Sequence, residues 1–168
     1  MAVTARLMGL GVLRSADLIA GYRAVRGEVS IDGVMALLAE SGAEVTVPRV
    51  VGEYLEFIPW DLEGVTIEGS FGIPEPVSGT PRPLLAHDVV LAPLVAFDPF
   101  GNRLGQGGGF YDRALRDRSG HRPVVIGIAH SFQEVASVPT ESWDVAIDAV
   151  ITEDAVFEFT TGCLTSLE

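Results

Sequence analysis

Lysine is absent from this 168-residue chain, so all eleven basic side chains are arginine. That excludes any mechanism built on a lysine amine, such as a Schiff base. Cysteine is nearly absent too. Cys163 stands alone, which rules out an internal disulfide, and no neighbour in sequence suggests an activated thiol. The three histidines, His87, His121 and His130, lack the spacing of metal ligands, which argues against a metal site built on histidine or cysteine. No Gly-x-Ser-x-Gly elbow occurs, which argues against a serine hydrolase of that type. No apolar run reaches the length of a membrane span. The short apolar start is interrupted by Arg6 and does not form a signal peptide, so the expected location is the cytoplasm, with no membrane partner. Positive charge is scarce: 23 acidic residues oppose 11 basic ones, for a net charge of −12. This balance excludes general nucleic-acid binding. A polyanionic ligand must therefore be gripped by individual arginines and backbone N–H groups.

What is present points to a folded enzyme-sized unit. Hydrophobic residues make up 48% of the chain and mean hydropathy is +0.34, which is globular rather than disordered. The length suits one domain over residues 1–168, with 160–168 as a tail. Residues 17–22 and 44–47 read as strands, the second stopped by Pro48. Between them Ser30 reads as an N-cap, with Ile31, Val34, Leu37 and Leu38 at helical spacing and Ser41-Gly42 as the end. Residues 54–58 alternate like a strand, and 65–82, rich in Gly and Pro, read as a surface loop. Apolar runs at 89–95 and 124–129 read as buried strands, 111–118 as a helix and 149–152 as a short last strand. Alternating strands and helices predict a Rossmann-like three-layer α/β sandwich with a mostly parallel central sheet. Ligands on such sheets sit beyond the carboxyl ends of the strands.

The densest signal follows the strand at 89–95. It is the turn Arg103-Leu104-Gly105-Gln106-Gly107-Gly108-Gly109-Phe110-Tyr111, leading into a helix. Glycines let backbone N–H groups converge on an anion, and a helix start adds unpaired donors. The pattern is neither the dinucleotide fingerprint, because Phe110 stands at its last glycine, nor a P-loop, because no lysine follows. Phosphate binding and a tight structural turn both remain open on glycine content alone. Arg103 offers a paired-donor grip on phosphate or a cap on a carbonyl. Asp112 reads as an N-cap, a dipole partner, or a Mg²⁺ ligand, with Asp144 or Asp148 as the second carboxylate. Glu28 reads as a surface charge in a loop after a strand; Phe71 and Tyr111 read as core covers or as stacking platforms.

Taken together, Ala96-Phe97-Asp98 and the segment from Gly101 to Arg113 resemble the signature of the 5-formyltetrahydrofolate cyclo-ligase family, also called methenyltetrahydrofolate synthetase. Collinear matches are Gly27-Glu28-Val29, Val47-Pro48-Arg49-Val50, Phe71-Gly72-Ile73-Pro74-Glu75-Pro76, Val138-Pro139, Asp144 and Asp148-Ala149-Val150-Ile151. The resemblance covers about residues 17–154. It implies an enzyme that uses ATP and Mg²⁺ to convert 5-formyltetrahydrofolate to 5,10-methenyltetrahydrofolate. The implied route has the formyl oxygen attack the γ-phosphate, after which N10 closes the ring and phosphate leaves.

By the same resemblance, residues 103–111 hold the nucleotide phosphates, with Arg103 and Tyr111 at the reacting centre. Asp112 and Asp144 hold Mg²⁺. Glu28, Arg23, Phe71, Tyr111 and Arg49 contact the folate. A monomer or weak homo-oligomer is expected. Family members usually begin with a helix whose lysine and arginine bind ATP phosphates; here the chain starts close to the family's first strand and has no lysine. Trp143 stands where histidine is common, and Arg23 at a folate-side position usually less charged. A second expectation therefore stands beside the first: a divergent or non-catalytic relative that binds nucleotide or folate.

Overall fold

The computed structural model describes residues 2–61, 64–69 and 72–166. Its elements are α1 (Ala2–Gly9), α2 (Gly11–Arg14), β1 (Leu18–Ala20), α3 (Asp32–Glu40), β2 (Glu44–Val51) and β3 (Tyr54–Pro59). Then come β4 (Thr66–Glu68), β5 (Pro74–Pro76), β6 (Val89–Pro93), β7 (Ala96–Phe97), β8 (Arg103–Leu104), α4 (Phe110–Leu115), β9 (Val124–Ile128), β10 (Ala149–Ile151) and β11 (Val156–Glu158). Seven strands form one sheet in the order β11-β10-β9-β6-β1-β2-β3. Its five central strands are parallel, and β3 and β11 close the two edges antiparallel.

Period-two alternation explains the layers. Val89 and Leu91 of β6 face one core cluster with Leu7, Leu13, Met35 and Leu38, under α1 to α3. Val90 faces the other, with Leu84, Phe97 and Leu115, under α4 and the β7–β8 hairpin. Because both faces are covered, β6 and β9 are continuous apolar runs. The predicted three-layer α/β arrangement is the observed one.

Several boundaries differ from the sequence reading. β2 does not stop at Pro48 but runs to Val51. β1 pairs with β2 only as far as Ala20↔Thr46, so beyond that point one edge of β2 is bare. The backbone N of Pro48 faces this bare edge, so its missing N–H costs no ladder bond. The helix cap is Ile31 rather than Ser30, whose Oγ lies 3.5 Å from the Asp32 N–H. The Gly/Pro-rich segment holds the β4–β5 hairpin instead of a plain loop. β11, and not β10, ends the sheet; its antiparallel pairing with β10 makes a three-residue segment with weak alternation strand-like. No helix among the described residues is long and apolar enough to cross a membrane. Arg6 lies in α1 and donates to the Asp154 carbonyl at 2.8 Å.

One histidine ties the back of the sheet. His87 is buried, with Nδ1 3.1 Å from the Pro83 and Leu84 carbonyls and Nε2 2.8 Å from Thr46 Oγ1. Two carbonyls at Nδ1 require the proton there, so Nε2 accepts from the threonine hydroxyl. Burial holds its pKa below the ordinary histidine value, although the Pro83 and Leu84 carbonyls, and then Glu44 and Asp88, oppose this. The folded state thus resists protonation that the unfolded chain accepts near pH 6.5. Stability should be flat above that pH and fall as pH drops below it. Chemical denaturation at pH 7.5 and 5.5 should show this loss in the wild type and a smaller one in His87→Gln.

Candidate functional site

The connections from β1 and β6 leave the sheet in opposite directions. β1 passes through α3 to β2 on one side, and β6 leads through α4 to β9 on the other. Adjacent parallel strands whose connections diverge open a crevice beyond their carboxyl ends. The loop 21–30 leaves β1 there, and the β7–β8 hairpin with its glycine turn leaves β6. A cleft of about 360 Å³ lies between them.

Its lining gathers most of the sequence candidates. Arg23, Glu28, all of residues 103–112, and Asp144 face it. Glu28 holds the two walls together. Its Oε2 accepts the Val25 N–H at 2.9 Å and its Oε1 accepts Gln106 Nε2 at 2.8 Å. The His130 ring lies 3.1 Å from the Gly27 carbonyl and steadies the same loop. The surface-charge reading of Glu28 is therefore replaced by a position between the β1 loop and the glycine turn.

The turn itself is open toward the cleft. Gly107 has φ +93° and a Cβ added there would meet nothing within 4 Å. Gly109, at φ +61°, is the N-cap of α4. Asp112 is therefore not the cap. It lies in the first turn, and its Oδ1 accepts Arg103 Nη2 at 2.8 Å and the Val145 N–H at 3.1 Å. Arg113 anchors the turn from behind, donating to the Gly108 carbonyl at 2.8 Å and the Glu53 carbonyl at 2.9 Å. α4 has only six residues, so the cradle rests on turn amides and Arg103 rather than on a long helix dipole.

Two buried polar atoms in the cleft wall have no partner among the described residues: Arg103 Nε and the Tyr111 hydroxyl. The Arg103 side chain is only 5% exposed and its guanidinium carbon lies 5.9 Å from the Tyr111 ring centre. Burial raises the Tyr111 pKa, Arg103 opposes this and Glu28 reinforces it. The hydroxyl therefore keeps its proton at neutral pH. Unsatisfied buried donors beside a bare glycine turn fit an anionic ligand with many acceptors, such as a polyphosphate. Among the described residues no group of three or more His, Cys, Asp or Glu is placed to hold a metal. Asp112 and Asp144 both line the cleft, and Mg²⁺ is commonly held by one or two carboxylates plus phosphate oxygens. These residues fit that ion in company with a nucleotide.

Other candidates lie elsewhere. Arg49 does not line the cleft; it pairs with its cross-strand neighbour Glu56 at 2.6 Å. Asp148 is buried against Arg118 and the Val125 N–H, behind the site. Phe71 falls outside the described residues. Cys163 has its thiol pushed up to about 12, first by burial and then by Asp148 and Glu158, and is inert. Sequence reasoning missed Trp143 as a wall of the cleft, 64% exposed, and missed Arg26 and Glu75. An exposed tryptophan in a loop carries no periodic signal, so only the fold could place it.

Asp98 fixes the geometry. It is fully buried, and its carboxylate accepts the N–H groups of Phe100, Asn102 and Val138 and the Asn102 side-chain amide. Burial alone would raise its pKa, but these four donors outweigh it and hold the group below the usual carboxylate range. They tie the hairpin that carries Arg103 to the segment that leads to Pro139 and Asp144. Asp98→Ala strands three backbone donors and should cost about 2–4 kcal/mol, which thermal unfolding would register as a drop of roughly 5–15 °C.

A family model described as the 5-formyltetrahydrofolate cyclo-ligase family matches residues 1–153. The chain is 36% identical over 150 residues to the 5-formyltetrahydrofolate cyclo-ligase of Haemophilus influenzae, covering 86% of this chain and 80% of that one. It is 32% identical over 160 residues to the enzyme of that name from Escherichia coli K12, covering 92% and 87%. The solution structure of Aquifex aeolicus 5,10-methenyltetrahydrofolate synthetase superposes with a TM-score of 0.82 at 32% identity, covering 99% of this chain and 83% of that one.

Proposed function

The chain belongs to the 5-formyltetrahydrofolate cyclo-ligase family, and on that premise we propose that it is an ATP- and Mg²⁺-dependent ligase converting 5-formyltetrahydrofolate to 5,10-methenyltetrahydrofolate. The observation that carries the reading is the single cleft in which Glu28, Arg103, the bare glycine turn, Tyr111, Asp112 and Asp144 all meet. Among the described residues no cysteine or histidine lines the cleft, and the proposed reaction uses no enzyme nucleophile. Phosphoryl transfer asks a protein mainly for in-line positioning and charge stabilisation.

The reaction balances without an enzyme nucleophile. The formyl oxygen of the folate attacks the γ-phosphorus and ADP leaves. N10 then attacks the activated formyl carbon, and the C–O bond breaks to release inorganic phosphate, which carries away the proton that N10 loses. The amides of 105–109 and the Arg103 guanidinium hold the phosphates and take up charge as it spreads over the transferring group. Asp112 and Asp144 would hold Mg²⁺, which would supply further neutralisation of phosphate charge. The protonated Tyr111 hydroxyl donates to an oxygen near the reacting centre. Glu28, Arg23 and the apolar wall of Pro48, Val50 and Leu55 bind the folate and exclude water.

Mixing the protein with 5-formyltetrahydrofolate, ATP and Mg²⁺ should give the near-UV absorbance of the methenyl product. Folate or nucleotide binding without that rise would support the non-catalytic reading instead. Arg103→Ala removes a charge-assisted grip worth about 2–3 kcal/mol, so kcat/KM for MgATP should fall by roughly 30- to 200-fold. Arg103→Lys should restore little, because one ammonium cannot serve both Asp112 and a phosphate in a planar fork.

A further inference from the structure

One turn in the loop after β1 is held against its backbone preference. Among the described residues Arg26 is the one non-glycine with positive φ, at +51°, and Gly27 follows at +85°. The Val25 carbonyl accepts the Glu28 N–H across them at 3.0 Å. Two left-handed residues inside such a bond give the φ pattern of a type I′ turn, which asparagine and glycine favour and arginine does not. A conformation of this kind persists only where its surroundings enforce it. Glu28 enforces it from one side, since its Oε2 accepts the Val25 N–H at 2.9 Å.

His130 enforces it from the other. It lies just beyond β9, and its Nε2 is 3.1 Å from the Gly27 carbonyl. A carbonyl only accepts, so Nε2 carries a proton and donates it to this bond. The ring is aimed by what surrounds it. The His130 backbone N–H donates to Gln133 Oε1 at 2.7 Å. The Gln133 amide donates in turn to the Leu94 and Val95 carbonyls at 2.7 and 3.0 Å, where β6 gives way to the hairpin. Ser131 is fastened to Glu153 through both its N–H and its hydroxyl. Phe132, exposed to solvent, stacks on the imidazole with centroids 5.3 Å apart and planes 8° from parallel, which fixes the plane of the ring. Residues 130–133 thus form a brace that grips the base of the hairpin and reaches across to the β1 loop.

We propose that His130 is a positioning residue for the reaction proposed above, and this rests on that reading. Through the Gly27 carbonyl it holds the Arg26–Gly27 turn, and so keeps Glu28 at its distance from the glycine turn. His130 does not itself line the cleft, whereas Arg26 and Glu28 do. Its influence falls on the folate side, because Glu28 follows the turn directly, while Arg103 and the glycine amides stand on the other wall.

The test separates the donor from the ring. His130→Phe keeps a flat ring for Phe132 and removes the donor; His130→Gln loses the ring and keeps an N–H donor. In His130→Phe the KM for 5-formyltetrahydrofolate should rise about 3- to 10-fold, the worth of one neutral hydrogen bond, with kcat and the KM for MgATP within about twofold of wild type. His130→Gln should recover most of that loss. Arg26→Asn relaxes the turn, so adding His130→Phe to it should raise the folate KM by less than about twofold. Hydrogen exchange at the Glu28 amide reads the turn without turnover: it should be about 3- to 10-fold faster in His130→Phe and close to wild type in His130→Gln. Circular dichroism shows whether His130→Phe folds, and His130→Ala takes its place if it does not. An unchanged folate KM in the folded variant, an equal loss in His130→Phe and His130→Gln, or the same loss in the Arg26→Asn background would overturn the assignment. A wild type without turnover would instead overturn the proposed function, and the exchange comparison would still decide whether His130 holds the turn.

Discussion

The site depends on one topological constraint: the connections of β1 and β6 part company at the middle of a parallel sheet. Two neighbouring strands end together, and nothing in the sheet can cover the space beyond them. Each strand then sends a loop over that space. One carries Glu28 and the other carries the glycine turn, and Gln106 joins them. The same geometry bares one edge of β2, which allows Pro48 inside a strand and gives Glu75 its backbone donor. A change in the direction of either crossover would separate these residues by the width of the sheet.

For an acidic protein, the proposed binding of a polyanion poses a local electrostatic problem. A net charge of −12 repels a nucleotide at long range, and screening limits this to about 8–10 Å at ordinary salt. Inside the cleft the acidic side chains still outnumber the arginines, so the grip must come from individual donors rather than from net charge. Arg103 is nearly buried and therefore poorly screened, and the turn amides add donors with no side-chain entropy to lose. Asp112 holds the guanidinium in place before any ligand arrives, which leaves less to organise on binding. Asp98 plays the same part for the backbone, since its four hydrogen bonds set the hairpin on which Arg103 rides.

Much of this was legible in the chain and some was not. The buried strands at 89–93 and 124–128 were plain because both faces are covered and every residue is apolar. The glycine turn was plain because left-handed backbone at Gly107 and Gly109 leaves a compositional trace. Arg49 was taken from its motif, and the motif does not show that the cross-strand neighbour Glu56 pairs with it. Asp112 was read as a cap, a dipole partner or a Mg²⁺ ligand; a glycine in the left-handed region took the cap position, and Asp112 lies in the first turn. Glu75 was invisible as a site residue. Its place in the cleft wall depends on an edge of β2 that β1 leaves bare after Ala20, and no local pattern encodes that.

The central claim is that the amides of the glycine turn, with Arg103, hold the nucleotide phosphates. Backbone amide NMR during a titration with MgATP tests it directly. Resonances of Gly105, Gln106, Gly107, Gly108 and Gly109, and the Arg103 Nε–H, should shift together and saturate at one concentration. Saturable shifts confined to other parts of the chain, with these six signals unmoved, would contradict the account.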